Sequence, residues 1–285
     1  MNTLRTIVLM GFLTALMVGV GGFIGGKSGL IIAFIFALVT NFTSYWFSDK
    51  IAIMMAGAQP VSEQESPELY DIVRGLCQKA GLPMPRIYID PSQSPNAFAT
   101  GRDPEHAAVA VTVGIMQILN RDELEAVLAH ELGHVRNRDV LITTIASVFA
   151  AVITGLAHMV WWGGGFRNRD DDRGGGGNLI GLILVAVLAP LAASLINLAI
   201  SRSREYQADQ TGAEICGHPE ALANALAKLE QGSQRIPMGV NPALGNMYTV
   251  KPDPGNWFTN IMSTHPPIPE RINRLEEMAV RKNTI

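Results

Sequence analysis

Charge is scarce in this chain. Asp, Glu, Lys and Arg supply 16% of its 285 residues, against about 25% in a soluble domain, so an ordinary water-soluble globule is a poor fit. A basic surplus is missing too: the formal net charge is −3, which removes the electrostatic footprint of a nucleic-acid binder. The two cysteines, Cys77 and Cys216, are too few for a disulfide framework and form no CxxC pair, as expected in a reducing compartment. No internal repeat is visible, which excludes a solenoid.

What the chain has instead is uncharged apolar sequence, 48% of the residues being hydrophobic. Residues 6–24, 30–47, 140–162 and 179–200 carry no Asp, Glu, Lys or Arg, and each approaches the length of about 20 residues that spans lipid as a helix. The first run exceeds a signal-peptide core of about 7–15 residues and no A-x-A site follows it, so it reads as an uncleaved anchor. The expectation is a mainly α integral membrane protein with four transmembrane helices. A first hairpin covers 4–47 and a second covers 140–200 with a loop over 163–178. The polar segments 48–139 and 201–285 then lie on one side of the bilayer and together build one domain. Arg5, Lys50, Arg136, Arg138, Arg202 and Arg204 flank the spans on that side, against Lys27, Arg167, Arg169 and Arg173 on the other. The excess of basic residues predicts that the polar domain is cytoplasmic.

Within 48–139, Ser66-Pro67 opens a helix and Gly81 closes it. Arg86 to Asp90 reads as a strand. The apolar runs either side of the turn Gly101-Arg102-Asp103-Pro104 read as a hairpin. Asn120 and Glu123 make a capping box for the next helix, which is expected to run on into the third span. Further helices are expected near 201–214, over 219–230 and from Pro269.

The helix capped by Asn120 carries His130-Glu131-Leu132-Gly133-His134. Residues four apart share a helix face, so the two imidazoles aim at one point. Imidazole nitrogen suits Zn²⁺, one ion per chain here, and Glu131 falls beside the water such an ion would hold, as a general base. A catalytic zinc needs a third protein ligand. The segment Ser203-Arg204-Glu205-Tyr206-Gln207-Ala208-Asp209 offers two carboxylates one turn apart. Spacing alone leaves Glu205 and Asp209 open, with Glu214, His218 and His265 as competitors. A phosphate-loop pattern, Gly21 to Ser28, sits at the tip of the first hairpin and follows no strand, so no ATP is expected.

Four motifs taken together, HELGH, SREYQAD, NAFATG and THPPIPERI, resemble the HtpX family of heat-shock membrane metallopeptidases, related to the CaaX prenyl proteases. The likeness covers almost the whole chain. It implies a helical zincin-type (gluzincin) domain with a small β-sheet, Glu205 as third zinc ligand and Asp209 supporting a ligand histidine. It implies that Asn96, Ala97, Phe98 and Ala99 align the substrate, that His265 stabilises the oxyanion and that Arg271 orients Glu205. It further implies a multi-pass protein of the bacterial cytoplasmic (inner) membrane that serves stress response and quality control. There it would cleave misfolded or damaged membrane proteins, without ATP. A CaaX-type prenyl-protein protease and a non-catalytic zinc-binding membrane protein are the alternatives; the second leaves Glu131 without a purpose.

Overall fold

The computed structural model describes residues 2–149, 202–236, 247–249 and 266–283. The loop 163–178, the expected fourth span, the far end of the third and His265 lie outside the described residues.

Helix α1 (Asn2–Trp46) is one run folded back on itself at Gly26, whose φ of 56° and ψ of −139° suit a residue without a Cβ. The two arms touch closely: a Cβ on Gly21 would lie 2.6 Å from the Gly29 carbonyl. Asn41 Nδ2 also donates across the hairpin to Thr14 Oγ1 at 2.6 Å. The glycines of the phosphate-loop pattern therefore serve a helical hairpin. Among the described residues, Gly25–Trp46 is the stretch long and apolar enough to cross a membrane, and Thr6–Gly22 and Val140–Phe149 are shorter apolar helices. Ile7, Val8, Phe12, Ile31, Ile32 and Ile35 stand exposed along α1, a larger apolar surface than water tolerates on a monomer.

The polar part is α2 (Ser48–Ala56), α3 (Pro67–Ala80), a sheet, α4 (Val113–Ile118) and α5 (Arg121–Arg136), then α7 (Arg202–Cys216), α8 (Pro219–Arg235) and α9 (Ile268–Asn283). Between α5 and α7, helix α6 is described over Val140–Phe149. The sheet runs β1 (Gln59–Pro60), β2 (Arg86–Asp90), β4 (Ala108–Thr112), β3 (Ala97–Thr100), with β2 and β4 parallel and both outer pairs antiparallel. Strand β3 is thus an edge. Ala97 and Ala99 face a core shared with α3, α5, α7 and α8, while Phe98, Ala108 and Ala110 pack with α2 on the other face, the period-two alternation of a strand. Helix α6 packs through Ile142, Ile145 and Phe149 on Leu9 and Leu13 of α1.

The capping box of α5 is present, Asn120 Oδ1 accepting from Glu123 N–H and Glu123 Oε2 accepting from Asn120 N–H, both at 2.9 Å. Gly81 ends α3 in the left-handed conformation, but the Ser66 hydroxyl makes no capping hydrogen bond. One expectation is corrected. Helix α5 does not run on into α6: it stops at Arg136, Arg138 takes a φ of 55°, and Val140 starts anew. This break carries Asp139 back beneath His134, where its carboxylate gains a partner that a continuous helix would deny it.

Candidate metal centre

His130 and His134 leave the same face of α5, their rings 4.8 Å apart and nearly perpendicular. Glu205 arrives in the first turn of α7. The two helices meet at Gly212, where a Cβ would lie 2.8 Å from both Cα and N of His130. Only a glycine permits that approach. His130 Nε2 lies 3.8 Å from Glu205 Oε2, and His134 Nε2 lies 3.6 Å from Glu205 Oε1. The three donors fall within 4.8 Å of one another. A tetrahedral ion with bonds of about 2.1 Å sets its ligands about 3.4 Å apart, so the cluster fits a divalent metal with little adjustment.

The outer nitrogens explain the orientation. His130 Nδ1–H donates to Asp209 Oδ1 at 2.9 Å, and His134 Nδ1–H donates to Asp139 Oδ1 at 3.2 Å. Each bond fixes the tautomer and turns the Nε2 lone pair inward. His130 Nε2 is buried with no hydrogen-bond partner among the described residues, a cost that a metal would remove. Asp209 is itself gripped by Arg271, Nε to Oδ2 at 2.8 Å and Nη2 to Oδ1 at 2.6 Å. Burial alone would raise the Asp209 pKa, but the Arg271 guanidinium and His130 hold it below the usual carboxylate range. Burial would likewise lower His134, yet Asp139 and Glu205 push it up to about 10 when a proton stands in for the metal. The surroundings favour a positive charge at this point.

Glu131, which is buried, has both oxygens engaged: Oε2 accepts from the Ala99 N–H at 2.8 Å and Oε1 from the Thr249 hydroxyl at 2.7 Å. Thr249 also seals the outer edge of β3: its N–H donates to the Ala97 carbonyl at 3.0 Å, and its single hydroxyl proton is shared between Glu131 Oε1 and that same carbonyl, the latter at 3.0 Å. Arg271 Nη1 holds the Thr249 carbonyl at 3.3 Å. The cavity among these groups measures about 30 Å³, room for an ion with a water and not for a peptide.

The structure therefore brings together His130, Glu131, His134, Glu205, Asp209, Arg271 and the strand 96–99. Arg271 forks onto Asp209, with Glu205 a more distant 3.9 Å away. Of the competitors, Glu214 and His218 do not join them: Glu214 accepts from Gln210, and His218 is exposed beside Glu220. Asp139 and Thr249 were not singled out by the sequence. An aspartate five positions beyond the second histidine was the available signal for the first, and nothing local marks the second.

Residues 63–279 match Peptidase family M48. A protein of Pelotomaculum thermopropionicum named "Protease HtpX homolog" is 55% identical over 98% of this chain and 100% of its own length. One of that name from Pyrococcus furiosus is 54% identical over 99% and 97%. Among solved structures, Ste24p of S. mikatae shares the fold with a TM-score of 0.52 at 21% identity, over 96% of this chain and 65% of that one.

Proposed function

Because the chain belongs to Peptidase family M48, we propose that it is a zinc-dependent endopeptidase of the membrane, in which His130, His134 and Glu205 hold the ion and Glu131 is the general base. The observation that carries this is the placement of a buried carboxylate, Glu131, beside three converging donors that it does not belong to. The names of the relatives support proteolysis.

A zinc ion in this cage supplies a water of lowered pKa and a positive centre for a peptide carbonyl. The protein does the rest. The Ala99 N–H fixes one oxygen of Glu131; the other, once the Thr249 hydroxyl turns away from it, takes the water's proton and returns it to the leaving amine. The outward groups of β3, the Ala97 carbonyl among them, offer main-chain hydrogen bonds to an extended substrate. Asp209 and Asp139 hold the ligand imidazoles in one tautomer throughout.

We read the location as a bilayer crossed four times, with the polar domain on the cytoplasmic side of a bacterial inner membrane. The exposed apolar face of α1 supports this, as does the position of Val140 and Thr143 of α6, which line the metal cavity. A site at the mouth of a membrane helix suits membrane-protein substrates that have lost their fold, and no ATP enters the chemistry. The experiment is cleavage of casein and of a model membrane protein by detergent-purified chain, with and without chelator. Glu131→Gln should keep the metal and lose at least about a hundredfold in turnover; full turnover in that variant or after complete demetallation would refute the reading. Preference for a prenylated peptide over both substrates would favour the CaaX alternative.

A further inference from the structure

A second cavity, about 530 Å³, opens where α1 ends and α2 begins. One wall is aromatic: Phe42, Trp46 and Phe47, each with much of its surface exposed. The facing wall is basic. The Arg102 guanidinium lies 4.8 Å from the Trp46 ring and its Nη1 donates to the Trp46 carbonyl at 3.3 Å. The Lys50 ammonium stands 5.6 Å from the Phe47 ring and has no carboxylate partner among the described residues. Arg86 pairs with the buried Asp49, and Glu105 completes the charged lining. Arg102 Nε also meets Asp103 at 3.4 Å, a carboxylate that accepts from His106. Arg86 is thus balanced by Asp49 and Arg102 by Asp103, which leaves Lys50 as the cation of the lining without a carboxylate beside it among the described residues.

The position of this cavity matters as much as its lining. Trp46 is the last residue of the stretch Gly25–Trp46 that is long enough to cross a bilayer, so the cavity falls at the depth of the lipid headgroups. Tryptophan gathers at that boundary, and basic side chains there attract anionic lipid. The exposed Leu38 and Val39, next to Phe42 along α1, continue the apolar wall toward the hydrocarbon. A free phosphate has no use for that wall, and an apolar ligand has none for the cations. The uncompensated Lys50 ammonium, with two guanidiniums beside it, matches one phosphodiester.

We propose that this cavity binds a single anionic glycerophospholipid, its phosphodiester between Lys50, Arg86 and Arg102 and its glyceride against Phe42 and Trp46. The proposal rests on the reading that α1 crosses the membrane. It is independent of the chemistry at the metal centre.

The test uses the full chain purified in a neutral detergent and then delipidated. Native mass spectrometry with equimolar dioleoyl phosphatidylglycerol and dioleoyl phosphatidylethanolamine should show one retained phosphatidylglycerol in clear preference. Lys50→Gln, at a side chain that makes no hydrogen bond among the described residues, should weaken retention about fivefold, and Lys50→Gln with Arg102→Gln about twenty-five-fold. Since the Arg102 change also removes a bond to Trp46, the Lys50 variant alone decides if the pair unfolds. Equal retention of the two lipids, or unaltered retention in Lys50→Gln, overturns the proposal. So does displacement of the lipid by inorganic phosphate at equal concentration, which would make the site one for a free anion. Release of the chain from membranes by alkaline carbonate would instead sink the spanning reading, and the lipid site with it.

Discussion

Consider the substitution Asp209→Asn. It leaves the shape of the side chain and removes its charge, so Arg271, 1% exposed, keeps a buried cation whose nearest carboxylate is Glu205, 3.9 Å away. It also turns an amide NH₂ toward Arg271 Nε or Nη2 or toward His130 Nδ1–H, all of which are donors to Asp209 at 2.6–2.9 Å. Breaking a buried ion pair by removing one partner costs about 3–5 kcal/mol, a large share of the roughly 5–15 kcal/mol that holds a domain folded. The ligand His130 keeps at best a neutral amide oxygen in place of the carboxylate that fixes its tautomer and raises its basicity, which lowers metal affinity about 10–100-fold. The double variant Asp209→Leu with Arg271→Met separates the two effects. It removes both charges, so its metal-free melting temperature should recover most of the loss, while its metal affinity stays low because His130 lacks an acceptor. Calorimetry in chelator and competition against a chelating dye read the two quantities. A double variant as unstable as the single one, or Asp209→Asn binding metal like wild type, would refute the reasoning.

Metal loading must expel the proton that Asp139 and Glu205 hold on His134 up to about pH 10. Apparent affinity should therefore climb about tenfold per pH unit from neutral toward that value, and a flat profile by dye competition would contradict it. In the metal-free protein the stabilisation from that raised pKa is complete below the unfolded value near 6.5 and lost as pH rises through about 10. The depressed Asp209 works in the opposite sense: its contribution is present above about pH 4 and lost as pH falls through its lowered folded value, read as acid unfolding. Gly212→Ala would place a Cβ 2.8 Å from the His130 backbone. It should separate α5 from α7 and weaken metal binding, whereas Gly75→Ala, inside α3 with open space around it, should raise stability slightly and leave metal binding unchanged; equal effects on metal binding would count against the close approach as the cause. Thr249→Ala frees Glu131 Oε1 and one bond to Ala97, so KM for an extended peptide should fall with metal affinity unchanged, and a raised KM would oppose competition for the edge.

What the sequence made legible was local. The pairing of His130 with His134, the capping box of Asn120 and Glu123 and the strands around Gly101 all follow from spacings under ten residues, and the structure contains each. Glu205 could be narrowed only to a segment by spacing, because its meeting with α5 depends on Gly212, and a mid-helix glycine looks the same wherever it packs. The continuous α5 was a misreading of an apolar pattern that resumes at Val140; Arg-Asn-Arg-Asp carries no proline or glycine to announce the break. Thr249 reaches Glu131 across 118 positions, and no periodicity encodes such a contact. The covering of the Ala97 carbonyl is long-range in the same way.

That covering sets an entry condition. A partner arriving at the rim of the sheet enters an exchange, in which it must surrender hydration and chain entropy while an internal tenant already satisfies the same carbonyl. A segment locked in its own helix or sheet has no free amides to bid with. A length of polypeptide that has come loose does, and its main-chain hydrogen bonds to the rim would replace those of the tenant. On the proposed reading, a substrate would then be selected by the availability of its main chain.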